Sequence, residues 1–465
     1  YNTASGYYSV VGGGRLNISS GEKSVIGGGS YNNADGYSST VGGGKSNTAS
    51  NGYTTVSGGY RNTASLYFAT IGGGRSNIAS GYYSAISGGL YNAASGYNST
   101  IGGGSSNSAS GYCSTVGGGY GNTASNGYTT VSGGYRNISS LYFSSIGGGR
   151  LNIASGYYSA ISGGLYNLAS GYYSTVGGGH TNTASCYFST IGGGCCNTAS
   201  AYASTIGGGR LNTASGRYST VGGGIENTSL SYRSTIGGGS QNTASNYYTT
   251  IGGGIGNVAS GSSTTIAGGR QNTASGYHST VSGGSINNAW CIYSTVGGGR
   301  ENTAGCNFST VGGGGYNIAS NYGSVLSGGR NNTVSGSYSV VGGGIYNTAS
   351  GTYVVVSGGI YNTASGAYSA VGGGTFNTAS GAGARVGGGT QNTASGVGSS
   401  IISGRGNIAS CLNSHIIGQG ISTNRDCATF VNNLSIMQLP NSSAGLPSGA
   451  LYYDAGAGNV IKYVP

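Results

Sequence analysis

Residues 167–196 read NLASGYYSTVGGGHT and then NTASCYFSTIGGGCC, which are two consecutive copies of one 15-residue pattern. The Asn that opens each copy recurs at every fifteenth residue from Asn2 to Asn407, which gives 28 copies without an insertion or a deletion. Counted from that Asn as position 1, the consensus is N-T-A-S-G-Y-Y-S-T-[VI]-G-G-G-x-x. A fixed period of this kind indicates a solenoid in which each copy forms one coil.

Two positions of the repeat are predicted to face a core. Position 10 is Val or Ile in every copy except Leu326, and position 3 is Ala with only four exceptions. Polar and apolar residues alternate around position 10, which is the period of a strand, and a helix interior would lose about 1 kcal/mol for each Gly. The members of the predicted core ladder in the first eight copies are Val11, Ile26, Val41, Val56, Ile71, Ile86, Ile101 and Val116.

The predicted fold class is therefore all-β, a parallel β-solenoid (β-roll) of 28 coils over residues 1–421, with two short strands and two turns per coil. Coils about 4.8 Å apart would make a rod of roughly 130 Å. Residues 422–465 do not repeat and are predicted to form a small β cap, since a solenoid end must be protected from edge-to-edge growth.

The turns and an internal polar ladder are assigned to Gly and Asn. The Gly pair at positions 12 and 13 is predicted to form the corner after the strand, because Gly adopts positive φ without steric cost. Asn at position 1 can bond to the backbone and is predicted to stack as a ladder. The turn residues are Gly13, Gly14, Gly28, Gly29, Gly43 and Gly44, and the ladder residues are Asn2, Asn17, Asn32, Asn47, Asn62 and Asn77.

Tyr at positions 6 and 7 and Arg at position 14 are the candidate surface residues. If positions 6 and 7 lie on a strand, they face opposite ways, which predicts one covered and one exposed Tyr column. Tyr is an efficient recognition residue, but packing or subunit contacts are the favoured reading of the columns, and Arg is read as a solubilising charge. The residues concerned are Tyr7, Tyr8, Tyr82, Tyr83, Tyr157, Tyr158, Tyr172, Tyr173, Arg15, Arg75 and Arg150.

Composition excludes several classes of protein. Among 465 residues there are 103 Gly, only three Pro and 5% charged residues, a usage unlike collagen and unlike charge-rich disordered chains. The net charge of +11 contains no basic run, so nucleic-acid binding is not expected, and no apolar stretch approaches the length of a membrane span. Six acids leave no paired carboxylates, which argues against an enzyme and against any cofactor.

The Cys and His residues are predicted to be incidental. Cys291 and Cys306 lie one repeat apart and are the one pair placed for a disulfide between neighbouring coils. Cys195 and Cys196 adjoin but have no partner ligands nearby in the sequence, and His180 occupies a variable position that is expected to face solvent. No metal site is therefore predicted.

One family resembles this repeat. The stretch ASGYYSTVGGGHTNTASC at 169–186 resembles the head repeat of trimeric autotransporter adhesins (the YadA-like head), whose motif is close to A-x-G-x-x-S-x-A-I-G. The resemblance covers about 1–421 and implies a left-handed β-roll, a homotrimer and a role in surface adhesion. Here the central small residue is Thr or Ser, Gly is usually tripled and Tyr is abundant, so matrix binding is not carried over. The stretch LPNSSAGLPSGALYYDAGAGNVIKYV at 439–464 resembles C-terminal segments of phage and large-virus fibre proteins.

These observations predict a structural or adhesive fibre: an extracellular homo-oligomeric rod on a virion or cell surface that attaches to itself and to a host surface or glycan. The alternative is an ice-binding or ice-nucleating solenoid, because G-Y-Y-S-T resembles the G-Y-G-S-T of bacterial ice-nucleation repeats. Those repeats have a 16-residue period and a Thr-x-Thr array, which this chain lacks. A polysaccharide-cleaving β-helix enzyme ranks third, because such enzymes carry long loops and clustered acids and this sequence has neither.

Overall fold

A computed structural model describes residues 1–433, 439–440, 442–448, 450–454 and 460–464. The chain divides into two compact units, Tyr1–Phe308 and Ser309–Pro465. Each unit is a parallel β-solenoid with about 15 residues per coil, and no described residue is helical, which confirms the predicted fold class. The described part of the chain contains no helix with the length and apolarity that a membrane crossing requires.

In the unit Tyr1–Phe308 every coil contributes two strands of two residues. The first strand takes positions 2 and 3 of the repeat, from Thr3–Ala4 to Thr303–Ala304, and the second takes positions 9 and 10, from Val10–Val11 to Thr295–Val296. Both recur every 15 residues, and each strand pairs in parallel with its equivalent in the next coil, as Ile146 does with Ile161.

A third ladder runs along this unit at position 14. Single-residue parallel bridges join Arg15 to Ser30 and continue coil by coil to the bridge between Ser285 and Arg300. The sequence pattern predicted two strands per coil and missed this one. A bridge of one residue has no neighbours along the chain with which to alternate, so it leaves no periodic signal.

In the unit Ser309–Pro465 the same two strands recur, from Thr310–Val311 to Ser400–Ile401 and from Ile318–Ala319 to Ile408–Ala409, followed by His415–Ile417. Thr429–Val431 then pairs in parallel with His415–Ile417. The coil pairing thus extends beyond residue 421, where the sequence repeat ends. The backbone N–H of Ile421 donates to Asn407 Oδ1 at 3.0 Å, as the next Asn of the repeat would do.

The last described strands are Leu451–Asp454 and Val460–Tyr463, which pair antiparallel within the segment predicted as a cap. The remainder of the predicted cap at 434–438, 441, 449, 455–459 and 465 lies outside the described residues.

The interior of a coil is half apolar and half polar. Ala154 at position 3 and Ile161 at position 10 are buried, and so are Asn152 at position 1 and Ser159 at position 8. Along the predicted core ladder, Ile26, Val41, Val56, Ile71, Ile86, Ile101 and Val116 are buried, whereas Val11 in the first coil is half-buried. A core of two small or medium apolar side chains per coil is completed by polar groups that must find partners inside.

Asn at position 1 provides those partners. Asn77 Nδ2 donates to the Gly73 and Gly89 carbonyls, each at 2.9 Å, and its Oδ1 accepts the backbone N–H of Asn92 at 3.0 Å. The same pattern recurs from Asn17 onward through Asn32, Asn47 and Asn62. Asn2 in the first coil is exposed but still accepts the Asn17 N–H at 3.1 Å.

In the Gly pairs of the first three coils, only one member has a left-handed backbone. At position 13, Gly14, Gly29 and Gly44 have φ of 92°, 85° and 86°, and a Cβ there would clash with the carbonyl of the next coil. At position 12, Gly13, Gly28 and Gly43 do not have positive φ, and a Cβ would meet nothing within 4 Å. In these coils the corner therefore requires Gly at position 13 and not at position 12, whereas Gly283 and Gly298 at position 12 of later coils also have positive φ, of 152° and 151°.

Gly89→Ala is expected to lower the free energy of unfolding by more than about 2 kcal/mol, because φ is 96° and the new Cβ would overlap the Gly104 carbonyl oxygen. Gly88→Ala is the matched control, with open space around the added methyl group, and its effect should stay within about 0.5 kcal/mol. Urea titrations followed by circular dichroism measure both. Equal losses of stability in the two variants would contradict this assignment of the corner.

Candidate functional site

The aromatic side chains at positions 6 and 7 lie on a turn and both face solvent. Tyr82 is 45% exposed and Tyr83 47%, and Tyr83 has a left-handed backbone with φ of 59°. The prediction that one Tyr column would be covered is wrong, because these positions form the turn between the two strands and do not alternate across a sheet. Tyr7, Tyr8, Tyr157, Tyr158 and Tyr173 are likewise exposed, and Tyr172 is half-buried.

The rings at position 7 stack on one another from coil to coil. Ring centroids are 4.9 Å apart between Tyr128 and Phe143, and 4.7 Å apart from Phe143 to Tyr158 and from Tyr158 to Tyr173. Phe188 continues the series at 5.3 Å from Tyr173. The interplanar angles are 12° or less, so the five rings form one parallel column with the spacing of the coils.

A second column at position 6 runs beside the first. Tyr157 lies 6.0 Å from both Tyr142 and Tyr172, and Tyr187 follows 5.4 Å from Tyr172. The two columns together line a shallow surface groove. Desolvation between neighbouring rings, and then the adjacent Tyr173, raises the pKa of the Tyr172 phenol.

Coil stability alone does not account for the aromatic residues at position 7. A left-handed conformation costs an L-residue roughly 1 to 2 kcal/mol, whereas one aromatic pair contributes about 0.5 to 1.5 kcal/mol, so the two effects nearly cancel. Gly occupies the same position at Gly323, Gly383 and Gly398, so the coil accepts a residue without that cost. Nevertheless 16 of the 28 copies carry Tyr or Phe there.

Arg at position 14 lies on a different corner of the coil and faces solvent. The Arg150 guanidinium lies 5.2 Å from the centroid of the Tyr135 ring in the preceding coil, and Arg75 lies 5.6 Å from Tyr60. Arg15 lies 5.9 Å from the Tyr31 ring. Sequence reasoning missed these cation–π contacts, because their partners are about 15 residues apart and become neighbours only when the coils stack.

The structure brings together three residues that the sequence analysis left apart. His180 and Cys195 are paired across neighbouring coils at position 14, and Cys196 follows Cys195 at position 15. Their ligand atoms all lie within 4.8 Å of one another. The expectation that Cys195 and Cys196 lack a partner ligand is therefore wrong. The exact 15-residue spacing from His180 to Cys195 is the signal that could have found this cluster.

The pair proposed for a disulfide has a different arrangement. Cys291 is a free thiol, and its Sγ donates to the Gly305 carbonyl at 2.9 Å. Burial is the main reason why the pKa of the Cys291 thiol is raised, and the neighbouring Cys306 adds to it.

Within the part of the chain that the structure describes, the exposed aromatic columns, the Arg and Tyr corner and the His and Cys cluster are the features that offer chemistry to a partner. A scan against protein-family models and a search of curated proteins found no match to this chain.

Proposed function

We propose that this chain is a structural fibre protein that assembles with copies of itself and acts outside the cell, on a virion or a cell surface. The observation that carries the proposal is the pair of exposed aromatic columns on a coil that repeats without insertions. A coil of constant length produces a uniform surface, which suits contacts repeated along an axis. A catalytic site would instead be expected on loops inserted between the strands of a coil, because catalytic residues lie mostly on loops.

The columns offer a surface of the kind that protein interfaces use. Aromatic residues are enriched at interface cores, and contiguous exposed apolar patches mark interaction sites. Between residues 128 and 188 the rings follow one another at the spacing of the coils. A second copy with the same spacing would meet this surface in register over many coils. The resemblance to adhesin head repeats supports three chains per assembly.

Light scattering of the purified chain tests self-assembly. A particle of about three times the chain mass of 45.4 kDa is expected. Replacing Tyr142, Tyr157 and Tyr172 by Ser should convert it to single chains, because the interface loses its apolar area while the coil keeps a residue that Ser262 and Ser337 already place at position 6. Negative-stain imaging would show whether the assembly is elongated.

The matched control changes three apolar residues on another corner. Replacing Leu90, Leu165 and Ile225 by Ser at position 14 should leave the mass of the assembly unchanged, since Ser30 and Ser105 occupy that position in other coils. A single-chain mass for the unmodified protein would contradict self-assembly. Loss of assembly in both variants would contradict the role given to the aromatic columns.

Attachment to a host surface or glycan is the finer part of the proposal. Tyr rings stack on the apolar faces of sugars, and the two columns provide a row of such rings. Binding to a glycan array that is lost in the Tyr142, Tyr157 and Tyr172 variant would support adhesion. Assembly without any glycan binding would contradict attachment to a glycan and would support a purely structural role.

An ice-binding solenoid is the second candidate, and one observation favours it. Nine successive coils place Thr at position 9 in parallel register on an outward face, each half-exposed or exposed: Thr175, Thr190, Thr205, Thr220, Thr235, Thr250, Thr265, Thr280 and Thr295. A regular Thr array could order water at the coil spacing. Thermal hysteresis of a single-chain form would favour ice binding. Its absence would argue against ice binding and in favour of the structural fibre.

A further inference from the structure

The His and Cys cluster is fixed by the backbone of two neighbouring coils. The backbone N–H of Cys196 donates to the His180 carbonyl at 2.9 Å, and Cys195 lies opposite His180 in the position-14 ladder. Because the ladder sets the separation of the two coils, the imidazole and the two thiols meet on one corner without any loop rearrangement. His180 is exposed, and both Cys residues are half-buried.

The side-chain atoms already approach a metal-ligand geometry. Cys195 Sγ lies 3.7 Å from His180 Nδ1 and 3.0 Å from Cys196 Sγ. Around a tetrahedral zinc ion with bonds of about 2.3 Å to sulfur and 2.0 Å to nitrogen, these separations would be about 3.5 Å and 3.8 Å. The first separation already fits, and the second requires the two sulfurs to move apart by less than about 1 Å.

The chemistry of the three groups selects the kind of ion. Two thiolates and one imidazole are soft and borderline ligands that suit zinc and similar thiophilic ions, in contrast to the oxygen ligands of calcium or magnesium. We propose that His180, Cys195 and Cys196 form a binding site for one thiophilic divalent ion of the zinc class, with the fourth coordination position open to water.

Binding exchanges protons for the metal. Each thiol gives up its proton as its sulfur coordinates the ion, so two thiolates balance the double positive charge. In the metal-free cluster the hydrogen bond with Cys195 is the main reason why the pKa of the Cys196 thiol is raised, and the Arg210 charge acts in the opposite direction. Thr181 Oγ1 lies 3.0 Å from His180 Nδ1 and would have to release that nitrogen to the ion.

Cobalt(II) provides a direct readout, because thiolate coordination gives an intense charge-transfer absorption and tetrahedral cobalt gives visible bands. We expect the full chain, reduced with a phosphine and titrated anaerobically, to bind one cobalt ion with both signatures, and stoichiometric zinc to displace it. The Cys195→Ser/Cys196→Ser variant should lose the charge-transfer band. Its coil should be unaffected, since Ser105 and Ser106 occupy the same two positions in another coil.

Two further variants separate the cluster from the other thiols. The Cys291→Ser/Cys306→Ser variant removes the same number of Cys residues and should bind cobalt as the unmodified chain does. His180→Ser should weaken cobalt binding at least about tenfold while keeping some thiolate absorption.

The proposal fails if the Cys195→Ser/Cys196→Ser variant retains the full absorption, or if the Cys291→Ser/Cys306→Ser variant abolishes it. It also fails if the reduced chain shows no thiolate band, or if Cys195 and Cys196 form a disulfide that the phosphine does not open.

Discussion

Ile146→Asp should unfold the coils on either side of residue 146 and lower the free energy of unfolding by at least about 4 kcal/mol. Ile146 is 1% exposed and is paired with Val131 in one neighbouring coil and Ile161 in the other. A carboxylate there would be removed from water without a partner. If the carboxyl group took up a proton instead, the free energy of that protonation would still lower the stability at any pH above the ordinary pKa of Asp. Urea unfolding followed by circular dichroism measures the loss.

The damage should remain local, because each coil of a solenoid contacts only its neighbours. Limited proteolysis of the Ile146→Asp variant should therefore cut first within residues 131–161. Ile146→Val should lower the free energy of unfolding by about 0.5 to 1.5 kcal/mol, since Val already occupies position 10 in other coils.

Arg150→Asp is the control, because it introduces the same carboxylate at an exposed position. Arg150 is exposed and would lose mainly its contact with the Tyr135 ring, worth about 0.5 to 1 kcal/mol at an exposed site. Equal tolerance of Asp at residues 146 and 150 would mean that the inward and outward positions of the coil are wrongly assigned.

Asn77→Ala should lower the free energy of unfolding by about 3 to 5 kcal/mol, because three hydrogen bonds, one buried and two partly buried, disappear at once. The Gly73 and Gly89 carbonyls would lose the Asn77 amide donors, and the Asn92 N–H would lose its acceptor. The Gly89 carbonyl would keep the Arg75 N–H at 2.8 Å, whereas the Gly73 carbonyl and the Asn92 N–H would lose the partner that they have in the stack, which is more costly than the loss of an exposed bond. The urea midpoint should fall accordingly.

Asn98→Ala controls for the change of residue type. Asn98 is exposed on the turn, and its amide has only a long contact of 3.5 Å with Cys113 Sγ. A change of less than about 1 kcal/mol is expected there. If Asn77→Ala were equally mild, the Asn ladder would not make the contribution to stability that its hydrogen bonds predict.

The sequence predicted the fold class because the residues that define it repeat. Val or Ile at position 10 and Asn at position 1 recur with one period, and burial and hydrogen bonding explain why both are retained. The second buried polar position, occupied by Ser159 and its equivalents, was not singled out, because Ser is equally common on surfaces.

The candidate sites were harder to predict, for a physical reason. Tyr is typical of strands, so the sequence assigns Tyr82 and Tyr83 to a strand. The side chain of Tyr does not indicate the left-handed backbone that Tyr83 adopts. The occasional Gly at position 7, such as Gly383, was the available clue. His180 and Cys195 become neighbours only through the stacking of coils, so adjacency along the chain could not indicate their contact.

The Asn ladder of the unit Tyr1–Phe308 also bears on how such a gene can change. Each interior Asn makes the same bonds with the coil before it and the coil after it, so any two coils can be brought together by removing those between them. A recombination event that adds or deletes whole repeats would leave every remaining hydrogen bond in place, whereas one out of phase by a single residue would break the ladder. Variation in length by complete repeats should therefore be tolerated by selection far more readily than variation within a repeat.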